Sequence, residues 1–110
     1  MSASDWVRVA AVDDVKPGNV LQVEVDGEPV CLANTGDEFL ATSDVCSHDY
    51  VMLSGGWLED DEIECPQHGS RFNMRTGEVL NPPATQPIAP YQTKVEGRDV
   101  YVRPMEIAND

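Results

Sequence analysis

At 110 residues the chain has the length of one domain, and its 41% hydrophobic content excludes a disordered chain. A formal net charge of −13 excludes a nucleic-acid binder, which needs a basic footprint. The acidic surplus either serves solubility or steers the chain towards basic patches on partner proteins. No charged start leads into an apolar run, and no stretch approaches the ~20 apolar residues of a membrane span. A cytoplasmic protein with no membrane partner is therefore expected.

Short alternating segments between turn residues predict an all-β domain. Trp6-Val7-Arg8-Val9 places Trp6 and Arg8 on one face and Val7 and Val9 on the other. After a turn at Lys16-Pro17-Gly18-Asn19, residues 20–25 alternate again. Asp26-Gly27 predicts a two-residue hairpin turn, because glycine accepts the positive φ such turns require. The return strand covers 29–33, and Asn34-Thr35-Gly36-Asp37 turns into a strand over 38–42. Cys31, between Val30 and Leu32, reads as a small buried hydrophobe rather than a ligand.

From Cys46 to about Pro83 the texture changes. Gly55-Gly56, Pro66, Gly69, Gly77 and Pro82-Pro83 interrupt the pattern, leaving strand-like pieces at 62–64 and 78–80. This predicts a loop-rich insertion on a regular β scaffold, the setting in which binding groups commonly sit. Residues 91–95 alternate, Glu96-Gly97-Arg98-Asp99 turns, and 100–102 closes a last hairpin. No segment sustains a helical period, so any helix should be short. Residues 1–110 thus read as one domain, with a basal β part at about 1–43 and 86–110 and a site-bearing subdomain at about 44–85.

Both histidines and two of the three cysteines fall in Cys46-Ser47-His48 and Cys65-Pro66-Gln67-His68. An odd cysteine count, with two cysteines paired to histidines, fits a reducing compartment and metal binding better than a disulfide framework. Cys-x-His points two side chains the same way from an extended backbone. Cys-x-x-His closes a tight turn, bent by Pro66 and freed by Gly69. Thiolate and imidazole together suit zinc, copper or iron–sulfur chemistry. Two such turns can hold one tetrahedral zinc, or a 2Fe–2S cluster in which each turn gives its Cys to one iron and its His to the other. Zinc fingers usually pair like with like, as C-x2–4-C and H-x3–5-H. This chain pairs unlike donors on both sides.

The pattern Cys46-x-His48…Cys65-x-x-His68, with Pro66, Gly69 and Pro82-Pro83, resembles the Rieske 2Fe–2S proteins. Nearly the whole chain is covered. Within that family it is most similar to the small Rieske-type ferredoxins of bacterial aromatic-ring-hydroxylating dioxygenases, such as those for carbazole, biphenyl or naphthalene. The resemblance implies a Rieske fold, an antiparallel β-sandwich with a loop-rich cluster-binding subdomain. It implies one cluster per chain, with Cys46 and Cys65 on the buried iron and His48 and His68 on the outer iron. It also implies a proline-bearing loop around Pro82-Pro83 over one side of the cluster. Membrane-complex Rieske proteins carry an extra disulfide, but the equivalent places here read Asp49-Tyr50-Val51 and Gln67. Ser70 matches a hydroxyl that donates to a cluster sulfur in the membrane type. Fewer donors near the sulfurs lower the potential, so a value in the low half of the Rieske range, about −150 to +300 mV, is expected.

With two thiolates and two neutral imidazoles the oxidised cluster is uncharged, which suits a one-electron carrier. The chain is not expected to be an enzyme alone: a mononuclear oxygenase iron needs two further histidines, and there is no Gly-rich dinucleotide loop. The resemblance implies a monomeric shuttle from a flavin-containing reductase to a terminal oxygenase. Its docking face would lie around His48 and His68, with Asp49, Tyr50, Gln67, Pro82 and Pro83 as neighbours. Service to an iron–sulfur assembly system, a nitrite reductase small subunit or a structural zinc domain are the alternatives.

Overall fold

Asp26 and Gly27 both adopt positive φ, 53° and 83°, the conformation a two-residue hairpin turn demands. They join β2 (Val20–Val25) to β3 (Glu28–Asn34), with Val25 opposite Glu28 and Val20 opposite Ala33. The structure, a computed structural model, describes residues 6–46, 52–66, 69–81 and 86–104. Six strands form one antiparallel sheet, in the spatial order β1 (Val7–Ala11), β9 (Asp99–Pro104), β8 (Pro90–Glu96), β4 (Phe39–Ser43), β3, β2. A second sheet holds β5 (Trp57–Glu59), β6 (Glu62–Glu64) and β7 (Arg71–Asn73). The expected all-β, antiparallel architecture is the one observed. Helical structure among the described residues is limited to two 3-10 turns, Val12–Asp14 and Leu53–Gly55, and no helix is long and apolar enough to cross a membrane.

The two edges of the large sheet, β1 and β2, approach each other, so the sheet curls around an inner core. Ala10, Val25, Val30, Leu32, Ala41, Val100 and Val102 fill it. A register shift between Arg8 and Ala10 bulges β1, so that Val7, Val9 and Ala10 all pack inward while Arg8 stays outside and pairs with Asp99 at 2.8 Å. β3 is buried on both faces, because its alternate residues serve two cores. Val30 and Leu32 face the inner one; Cys31 and Ala33 join Leu40 in an outer core with Leu53, Ile63, Phe72, Met74 and Ile88. That outer core is the contact between the large sheet and the three-stranded sheet, and Cys46 and Cys65 lie in it.

Two departures from the sequence expectations have local causes. Residues 78–80 form no strand; Val79 makes one isolated bridge to Phe72. Arg71 N, the donor that would continue the ladder, goes to the Asn81 side chain at 2.7 Å. Conversely, β5 and β7 form where the sequence showed no strand signal, each by pairing with β6.

Gly56 shows why the glycine pair precedes β5. A Cβ there would lie 1.9 Å from the Glu64 carbonyl oxygen and 3.1 Å from Pro66 Cδ. Gly56→Ala is expected to force β5 from β6, at a cost of about 2–3 kcal/mol. That lowers Tm by roughly 10 °C in a domain of this size, readable by thermal denaturation.

Candidate metal centre

The first cysteine leaves the large sheet at a clamped point. Val45 bridges Met52, and Leu53 N donates to the Asp44 carbonyl at 2.6 Å, so Asp44 and Val45 are held against Met52 and Leu53. Cys46 is the first residue beyond the bridge and is buried. The second cysteine follows β6 directly. Cys65 N donates to Ser70 O at 2.7 Å and Gly69 N to Cys65 O at 3.2 Å, which brings Gly69 and Ser70 back against Cys65. Gly69 sits at φ 78°, a region that favours glycine, and Ser70 is buried. Asn81 hooks the segment ahead of Pro82 to this point, its Nδ2 donating to Gly69 O at 3.2 Å while its Oδ1 accepts from Arg71 N. Sequence reasoning passed over Asn81; a polar residue just before Pro82-Pro83 was the available signal.

His48, Gln67 and His68 lie outside the described residues, as do Asp49, Tyr50, Pro82 and Pro83. Of the four expected ligands, the structure therefore places Cys46 and Cys65, and it brings both into one apolar core. Neither is in a disulfide. Among the described residues no three Cys, Asp or Glu side chains gather as a metal site. The donor chemistry fits a soft metal centre nonetheless: two buried, unbridged sulfurs, each followed within three residues of sequence by a histidine.

The surrounding charge is ordered on the outer face of the small sheet. Arg71 on β7 reaches Glu59, Glu62 and Glu64 on β5 and β6 at 2.9, 3.3 and 3.1 Å. Arg75 pairs with Asp61 at 3.0 Å and with Glu38, tying the small sheet to the turn before β4.

Cys31 is the small buried hydrophobe expected of it. Burial, with Asp44 as a second cause, pushes its thiol well above the usual range. The folded state therefore keeps the proton above about pH 8.5, where an unfolded chain releases it. Stability from this group is complete below that pH and falls as pH rises, by at most about 1.4 kcal/mol per unit. Cys31→Ala should flatten the decline between about pH 9 and 10.5, measured by denaturant unfolding.

Residues 5–92 match the model of the Rieske [2Fe-2S] domain. The chain belongs to the Rieske [2Fe-2S] family. It is 41% identical over 98 residues to the biphenyl dioxygenase ferredoxin subunit of a Pseudomonas species, covering 88% of this chain and 90% of that one. Its fold is similar to the ferredoxin of carbazole 1,9a-dioxygenase from Nocardioides aromaticivorans, with TM-score 0.88, 38% identity, and coverage of 93% of this chain and 100% of that one. A ferredoxin solved in complex with the oxygenase of carbazole 1,9a-dioxygenase is 39% identical, with TM-score 0.83, covering 89% of this chain and 92% of that one. This Rieske protein is thus a 2Fe–2S ferredoxin, an electron-transfer component rather than a catalyst on its own. Family membership also decides between the two readings of the donor set, in favour of the cluster over zinc.

Proposed function

We propose that Cys46 and Cys65 hold one iron of the cluster as thiolates and that His48 and His68 hold the other. On this reading residues 44–85 are the cluster-binding subdomain, and 1–43 with 86–110 are its base. The observation that carries it is the pair of buried cysteines in one core, neither in a disulfide, each followed within three residues of sequence by a histidine. When bound, the cluster supplies a single reversible electron at a site built from uncharged and thiolate ligands. The chain's own residues do the rest. Leu53, Ile63, Phe72 and Met74 surround the cysteines with apolar side chains and exclude water. Ser70, buried and held against Cys65, is placed to favour the reduced state by donating to it.

The chain serves as a monomeric cytoplasmic shuttle, taking one electron from a flavin-containing reductase and passing it to the terminal oxygenase of an aromatic-ring dioxygenase. Supporting this, the relatives are ferredoxin components of dioxygenases, and one is captured in complex with its oxygenase. The docking face lies around His48 and His68, with Asp49, Tyr50, Gln67, Pro82 and Pro83 as neighbours. The test is rapid mixing of reduced protein with a candidate oxygenase. One electron per chain should transfer, and variants at Asp49 and Gln67 should slow it while keeping the visible spectrum. Unchanged transfer in every such variant would rule the face out.

A further inference from the structure

Asp44 is the one charged side chain that is buried among the described residues, with 0% exposure. None of the ion pairs among the described residues includes it. Its carboxylate is met by hydrogen-bond donors instead. Ser54 N donates to Oδ1 at 2.6 Å, and Ser54 Oγ and Gln22 Nε2 each donate to Oδ2 at 2.7 Å. Cys31 is a further neighbour, its thiol pushed up by burial and in part by Asp44. A buried carboxylate is tolerable only when bonded in this way. The backbone of Asp44 is equally engaged, its N donating to Pro29 O at 3.1 Å and its O accepting from Leu53 N at 2.6 Å.

These bonds gather β2 through Gln22, β3 through Pro29, and the 3-10 turn through Leu53 and Ser54. The next residue, Val45, bridges Met52, and Cys46 follows. Asp44 therefore holds the chain just ahead of Cys46 against Leu53 and Ser54. Its reach extends further, because the turn it holds runs on into Gly55 and Gly56, which abut Pro66 and the Glu64 carbonyl beside Cys65. One side chain thus links the chain beside both cysteines.

We infer that Asp44 is a positioning residue for the Rieske cluster. It clamps the chain just ahead of Cys46, and its negative charge, unmatched by any cation among the described residues, opposes the arriving electron. The inference rests on the ligand assignment proposed above. Asp44→Asn keeps the shape and removes the charge; Gln22 and Ser54 can each turn to offer an acceptor, so the bonds can be kept. Ser54→Ala keeps the charge and removes one bond of the clamp.

The experiment measures midpoint potential and the rate of iron loss to a chelator for wild type, Asp44→Asn and Ser54→Ala holoproteins. The expected results are a higher potential in Asp44→Asn and iron loss several-fold faster in Ser54→Ala, with a smaller shift in potential. A wild-type potential in loaded Asp44→Asn would overturn the inference, as would wild-type iron retention in Ser54→Ala. Should circular dichroism show Asp44→Asn unfolded, the Ser54→Ala arm decides alone. A wild-type protein without a Rieske spectrum would instead overturn the ligand assignment, which separates the two failures.

Discussion

Cys46→Ala and Cys65→Ala are each expected to yield a folded, colourless protein. Removing either thiolate leaves one iron with a single sulfur ligand from the chain, and no group of three Cys, Asp or Glu among the described residues could hold a metal in its place. Visible absorption and iron content should fall by at least tenfold. The fold should survive, because the outer core keeps Leu53, Ile63, Phe72 and Met74, and replacing a small buried side chain by alanine costs only about 1–2 kcal/mol. Cys31→Ala supplies the internal control. Cys31 belongs to the same core, yet it lies mid-strand in β3 between Val30 and Leu32 and opens no turn. It should keep full colour. Retention of the cluster in either Cys46→Ala or Cys65→Ala, measured by iron assay and absorption, would refute the ligand assignment.

Electron transfer to the oxygenase should slow steeply as salt is added. The chain has 20 acidic residues against 7 basic ones, and nearly all of the basic ones are already engaged internally. Arg8 pairs with Asp99, Arg71 with three glutamates, Arg75 with Asp61 and Glu38, Lys94 with Glu96, and Arg98 with Asp13. The Arg103 guanidinium lies 4.5 Å from the centre of the Trp6 ring. Little positive charge is left to meet an acidic partner, so the long-range field favours a basic one. Steering of this kind raises association rates by about 10–1000-fold at low salt, and the Debye length shrinks from about 30 Å at 0.01 M to about 3 Å at 1 M. A second-order rate falling at least tenfold across that range is the expected result, measured by stopped-flow mixing. A rate independent of salt would mean that the acidic surplus serves solubility alone.

Much of the scaffold was legible because its signals are local. Residues 20–25 alternate over a full strand, and Asp26-Gly27 names its own turn type; both stand as expected. The final hairpin was equally plain, with β8 and β9 running slightly beyond the residues anticipated for them. Long-range structure was not legible in the same way. The bridge at Val79 stops because a side chain, Asn81, takes the bond a ladder would have used, which no window of residues reveals. Nothing local in Glu59, Glu62 and Glu64 shows that β7 brings Arg71 across to all three.

The metal centre divides likewise. Its ligand types and spacing were readable at once, since few chemistries need two Cys/His pairs. The sequence did not show that Cys46 and Cys65 share one core with Cys31 close by, because that follows from β3 being buried on both faces. Asp44 was hidden most completely. No local pattern marks it, and only the convergence of Gln22 and Ser54 upon it shows what it holds. His48 and His68 lie outside the described residues, so their roles rest on motif and family.

The central claim is a histidine-ligated 2Fe–2S cluster, without the stiffening disulfide, carrying one electron at a time. A redox titration followed by visible absorption tests it most directly. A coloured protein with a single one-electron wave in the lower half of the range from about −150 to +300 mV is the expected result. A colourless protein, or a wave at clearly high positive potential, would contradict it.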